Sequence, residues 1–233
     1  MERESGTDLP NVDVERKEAH AILYLDIQGF TRCLDELDAA PGAEESLKAF
    51  FAAWGKFRDL LIRPREITFK HKYYLANRIG DAFVIFSFVD RPESWFVFAT
   101  HYIARIFAEF RAEVSAFYPE FTTHLKTTIY TTPNGRVPYF QTAPIDMGIL
   151  GQQTIARRDF IAPGINTCAR IDALGAADEF DFLCNGPVYD RMARAYAESR
   201  IATEFHDLGE HVLRGLKTPE RIYGYRGAGI HGS

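Results

Sequence analysis

The sequence predicts an α+β fold, a ferredoxin-like sheet with helices packed on one face, on three observations. Apolar runs of strand length alternate with segments of helical periodicity, without a regular βαβ beat. Two of those runs, within Ile67–Phe88, fold about "IGD", a hairpin signal with Gly80 in the turn, so the sheet is antiparallel-rich. No internal repeat or low-complexity linker divides the 233 residues, a length suited to one well-buried domain.

Each element follows from local chemistry. Residues 1–19 are polar and charged and lack the apolar core of a signal peptide, so they are expected as a mobile arm before a domain over 20–226 and a short flexible tail, 227–233. Ala21–Asp26 reads as a buried strand. Glu44–Ile62 carries Leu47, Phe50, Phe51, Trp54, Phe57 and Leu61 at helical spacing. Pro92 opens a long helix to about Phe117, and Pro119 marks its end. His124–Thr132 is another strand, and Pro133–Asp146, with its prolines, is a loop or ragged hairpin. Ala162–Leu174 is a helix entered at Pro163 and stopped by Gly175. Short strands at "FDFLCN", "IATEFHDL" and "RIYGYR", with the helix "GPVYDRMARAYA" after the first, form a C-terminal extension.

Composition narrows the function. A net charge of −5 gives no broad surface for tracking phosphates along nucleic acid. No apolar run approaches the roughly 20 residues of a membrane helix. The three cysteines, Cys33, Cys168 and Cys184, form no C-x-x-C pair and imply neither a zinc site nor a disulfide framework; reduced thiols in a cytoplasmic protein are expected.

Asp26 ends one apolar strand and Asp81 sits in the turn between two others. If these strands are neighbours, both carboxylates project at one end of the sheet and repel unless a proton or cation lies between them. Hard oxygen ligands with room for water and phosphate suit magnesium, and paired magnesium ions suit phosphoryl chemistry.

The stretches "LYLDIQGFT", "NRIGDAFVIF", "APGINTCARI" and "VLRGLKTPERIYGY" resemble, in order, the motifs of class III nucleotidyl cyclase catalytic domains, from Ala21 to Tyr225. That resemblance implies a ferredoxin-like βαββαβ cyclase core, a head-to-tail homodimer with active sites at the subunit interface, and two Mg²⁺ or Mn²⁺ ions per site held by Asp26, Asp81 and the Ile27 carbonyl. It implies that Asn166 orients the ribose and Arg170, four residues on along one helical face, stabilises charge on the α-phosphate. Arg214, in "LRG", takes the place of the family's triphosphate-binding lysine, with Lys217 a second candidate.

One departure bears on the substrate. Asn77 stands where adenylate cyclases carry lysine and guanylate cyclases glutamate, while Asp159 matches the adenylate-type aspartate. An amide that donates and accepts, beside a carboxylate that only accepts, fits adenine, cytosine or uracil and fits guanine poorly. Phe50, Phe51 or Trp54 could narrow a base pocket towards a pyrimidine, although an aromatic stripe of this kind also reads as core. A stand-alone domain without the usual lysine is similar to the bacterial pyrimidine cyclases of Pycsar anti-phage systems. This implies UTP, or CTP, as substrate and a separate effector that reads the cyclic product. The alternatives are an adenylate cyclase, or an inactive cyclase fold serving as a dimerising or nucleotide-binding module.

Overall fold

The computed structural model describes residues 14–63, 69, 72–79, 81–142, 145–150, 153–157, 160–174, 179–197 and 204–226. In chain order the elements are β1 (Val14–Ala19), β2 (Ala21–Gln28), α1 (Phe30–Ala39), α2 (Ala43–Ile62), β3 (Tyr73–Ile79), β4 (Ala82–Ser87), α3 (Pro92–Val97) and α4 (Ala104–Ser115), then β5 (His124–Tyr130), β6 (Val137–Thr142), β7 (Ile145–Leu150), β8 (Gln153–Arg157) and β9 (Phe160–Ile161), and finally α5 (Pro163–Asp172), β10 (Phe182–Asn185), α6 (Gly186–Ala195), β11 (Phe205–His211) and β12 (Glu220–Tyr225).

A seven-stranded sheet in the order β11-β12-β10-β5-β2-β4-β3 forms the frame, antiparallel at every pair except β10 with β5. Strand side chains alternate between faces, so the parity of β2 sorts the sheet. Leu23, Leu25 and Ile27 enter the larger core with Phe83 and Ile85 of β4 and Leu125 and Ile129 of β5. That core is closed by α1, α2, α3, α4 and α6, and its rings interlock: Trp54 lies 5.1 Å from Phe83, and Phe57 lies 5.5 Å from Phe110.

The long helix expected over Pro92–Phe117 is present, but its middle, Phe98–Ile103, is wound as a π-helix between α3 and α4. The wider turn lies in a ladder of rings, with Tyr73 stacked on Phe98 at 3.8 Å and Phe98 on Tyr102 at 5.4 Å.

The opposite face carries Ile22, Tyr24, Asp26 and Gln28. Here the expectation of helices on one side needs correcting, because α5 and a small sheet, β1-β6-β9, cover part of this face. The last residues of the supposed arm, Val14–Ala19, form β1 and pair antiparallel with β6. β6 in turn lies inside Pro133–Asp146, the segment read as a loop or ragged hairpin, and pairs with β1 and β9. Gly164 shows how closely α5 approaches: a Cβ there would meet Ile22 Cδ1 at 2.8 Å and Tyr130 Cδ1 at 3.0 Å. Among the described residues, no helix is long and apolar enough to cross a membrane.

Candidate active site

The covered face is apolar only at one end. Ile22, Val84, Phe86, Tyr139, Ile165 and Cys168 form a second buried cluster there. Towards the other end the same face turns polar, and β5 matches β2 pair by pair: Tyr24 opposite Thr128, Asp26 opposite Lys126, Gln28 opposite His124. Leu25 pairs with Phe83 of β4, so Asp26, one step further, comes beside the β3–β4 turn that holds Asp81. The two carboxylates therefore share one end of the sheet. Immediately after, Gly29 takes φ +80, a left-handed conformation that turns the chain sharply from β2 into α1.

The electrostatics of that end are those of crowded acids. Burial first, and the Asp81 carboxylate second, push Asp26 above its ordinary proton affinity, while the Lys126 ammonium and a hydrogen bond from Gln28 pull it down. Tyr24 is held in its neutral form by burial and by the charges of Asp26, Asp172 and Asp81. Ile27 is fully buried, its side chain in the larger core, and it is paired with Leu125 of β5.

Periodicity alone did not single out Lys126, Asp172, Thr128 or Gln28. Lys126 is 1% exposed, and its Nζ donates to the Asp172 main-chain oxygen at 2.8 Å. Thr128 Oγ1 donates to Asp172 Oδ1 at 3.3 Å. The signal available was the alternation of β5, His124-Lys126-Thr128-Tyr130, in which a polar stripe sits opposite that of β2.

Asn166 and Arg170 lie on α5, Asn166 exposed and Arg170 partly so. Asp172 follows Arg170 by two positions, about 200° around the helix, so the two project from opposite sides. Asp172 faces the sheet. Arg170 faces the loop after β11, where a Cβ on Gly215 (φ +81) would come 3.3 Å from its Nη1. Ile171 and Leu213 share a third buried cluster, which anchors this loop against α5, and Arg214, next in the chain, is exposed. Lys217 is exposed further along the same loop. A surface salt bridge of Arg170 with Asp172 or Glu179 does not account for it, since Asp172 turns inward and Glu179 pairs with Arg226.

Asn77 lies on β3 opposite Val84, just past a bulge; its side chain, Gly80 and Asp159 lie outside the described residues. The aromatic wall is placed elsewhere. Phe50 and Trp54 are buried on the far face, with Phe50 against Phe110 and Trp54 against Phe57, and Phe51 is 53% exposed on the outside of α2. Packing in the larger core accounts for the two buried rings, and none of the three lies on the polar face.

No protein-family model and no curated protein sequence matches the chain. Solved structures do match its fold. The adenylyl cyclase CyaB from P. aeruginosa superposes with a TM-score of 0.55 at 17% identity, over 93% of this chain and all of that one (100%). A bacterial light-regulated adenylyl cyclase gives 0.57 at 15% identity, over 94% of this chain and 54% of that chain. The present chain thus spans about half the length of the light-regulated protein. The fold, an α+β sheet rich in antiparallel pairs, is that of these cyclase structures.

Proposed function

We propose that the protein is a nucleotidyl cyclase that converts a nucleoside triphosphate to the 3′,5′-cyclic nucleotide and pyrophosphate. The observation that carries this reading is the Asp26–Asp81 pair at the open polar end of a sheet whose fold is shared with adenylyl cyclases. Two partly buried carboxylates, close enough that one raises the proton affinity of the other, suit a hard divalent cation. Among the described residues there is no cluster of three or more His, Cys, Asp or Glu side chains able to hold a metal. The ligand set would therefore be completed by the Ile27 carbonyl, the triphosphate and water, the usual habit of Mg²⁺. Two Mg²⁺ or Mn²⁺ ions bound there would acidify the ribose 3′-hydroxyl and neutralise charge on the triphosphate.

The chain's own residues supply the remainder. Asn166 orients the ribose. The Arg170 guanidinium stabilises charge growing on the α-phosphate, and Arg214, with Lys217 as the second candidate, holds the triphosphate. In one chain the Arg170 guanidinium lies against Gly215 in the loop after β11, whereas Asp172, on the other side of the same helix, faces the sheet. This supports a head-to-tail homodimer in which Asp26 and Asp81 of one subunit work with Asn166 and Arg170 of the other.

For the base we favour a pyrimidine, UTP before CTP, because the residue types Asn77 and Asp159 can satisfy both O4 and N3–H of uracil. A diffusible cyclic pyrimidine nucleotide read by a separate effector in anti-phage defence is the corresponding role. The adenylyl cyclases among the fold's neighbours support ATP as the second reading. Purified protein is incubated with Mg²⁺ or Mn²⁺ and each of the four nucleoside triphosphates, and the products are weighed by mass spectrometry. Cyclic UMP or cyclic CMP is expected; cyclic AMP alone moves the assignment to adenylate cyclase, and no product from any of them refutes the cyclase reading.

A further inference from the structure

The polar end contains a contact to which the proposed chemistry gives no task. Gln28 Nε2 donates to Asp26 Oδ2 and lies 3.5 Å from Asp172 Oδ2. An amide nitrogen can serve two acceptors, and an amide oxygen turned towards two carboxylates would be repelled, so the chemistry fixes which way this amide faces. Gln28 thus joins two acids from different elements, one at the end of β2 and one at the end of α5.

Asp172 is an unusual anchor. It is 6% exposed and stands at the C-terminal end of a helix, where the macrodipole disfavours a carboxylate. It is held there by Thr128 Oγ1 on its carboxylate and by Lys126 Nζ on its main-chain oxygen. Both donors come from β5, the strand paired with β2. Strands β2 and β5 and helix α5 therefore converge on one side chain, and Gln28 passes that fixed position on to Asp26.

We propose that Gln28 is a positioning residue for the Asp26 carboxylate, with Asp172 as its anchor. The role rests on reading Asp26 as a metal carboxylate. Gln28 holds one Asp26 oxygen and so restricts how the carboxylate rotates towards a cation. Partners that orient a ligating group typically alter metal affinity about 10- to 100-fold when removed.

The test uses the full chain and Mn²⁺ alone, with free Mn²⁺ followed by electron paramagnetic resonance and folding by thermal melting. Gln28→Leu, of similar length but without a donor, is expected to weaken Mn²⁺ binding at least about tenfold with an unchanged melting temperature. Asp172→Asn is expected to weaken it less. The double variant is expected to be no worse than Gln28→Leu, because both act through one contact. Wild-type Mn²⁺ affinity in Gln28→Leu, or losses that multiply in the double variant, would overturn the proposal. Asp26→Ala separates the two layers. If it abolishes Mn²⁺ binding while Gln28→Leu does not, only the positioning role falls. If it binds Mn²⁺ as the wild type does, the metal reading falls and the positioning role falls with it.

Discussion

The two faces of β2 are built for different ends. On one, Leu23, Leu25 and Ile27 are sealed under helices by interlocked aromatic rings. On the other, two residues along from the buried Ile22, the same strand presents Tyr24, Asp26 and Gln28 to a buried lysine and two further acids. The first face gains free energy from every group it buries. The second places like charges together, an arrangement that lowers stability and is retained where a function requires it. Stability and chemistry are thus separated by a one-residue step in the strand.

That separation can be tested, beginning with the largest effect. Asp26→Ala or Asp81→Ala should lower cyclase turnover by more than about 100-fold, beyond the loss seen when only a ligand's neighbour is removed. Melting temperature should hold or rise. The sign follows from linkage. Asp26 binds its proton more tightly in the folded than in the unfolded chain, so its ionised form opposes folding at pH above its ordinary value. Asp26→Asn should therefore raise the melting temperature at neutral pH and not at pH values low enough to protonate the carboxyl in both states. A large fall in melting temperature for either variant would erase the contrast between the faces.

The sealed face should respond the opposite way. Phe57→Ala, at a ring 1% exposed, should cost about 3–5 kcal/mol in urea unfolding and leave turnover per folded molecule unchanged. Next in size, Gly164→Ala should destabilise by about 1–3 kcal/mol, since its methyl would press on Ile22 and Tyr130 where α5 crosses the sheet. Loss of activity without loss of stability in that variant would show that α5 is set for catalysis rather than for packing.

A further test addresses how the site is divided. Mixing Asp26→Ala with Arg170→Ala subunits, each inactive alone, should restore turnover through one intact site per heterodimer. No recovery, with subunit exchange verified by mass, would place both groups in a single-chain site. The smallest effect is remote from the site. Glu220 is kept above its ordinary proton affinity by burial, against a hydrogen bond from Asn185. Glu220→Gln should raise the melting temperature slightly at neutral pH, where the folded chain now holds a disfavoured charge, and not in acid.

The sequence by itself determined the parts whose cause is local. Apolar runs of strand length set β2 and β4, helical spacing set α2, and Pro163 set where α5 begins, because each depends on neighbours within a turn or two. The same reasoning brought out Asp26 and Asp81 at strand ends, whereas the Asn166–Arg170 pair came only from the resemblance to class III cyclase motifs. Tertiary structure alone decided what depends on distant segments meeting. Val14–Ala19 looks like a solvated arm until β6, more than a hundred residues later, supplies its hydrogen-bonding edge. Lys126 looks like one more surface lysine until β5 pairs with β2 and α5 closes over both. Asp172 lies only two residues past Arg170, yet helix geometry turns it the other way, onto Thr128 and Gln28. The Phe50 and Trp54 rings were ambiguous between pocket and core because period alone gives a face and not what the face meets; packing against Phe110 and Phe57 assigns them to the core. Patterns in sequence give the direction in which a side chain leaves its own element, and only the assembled fold determines what lies in that direction.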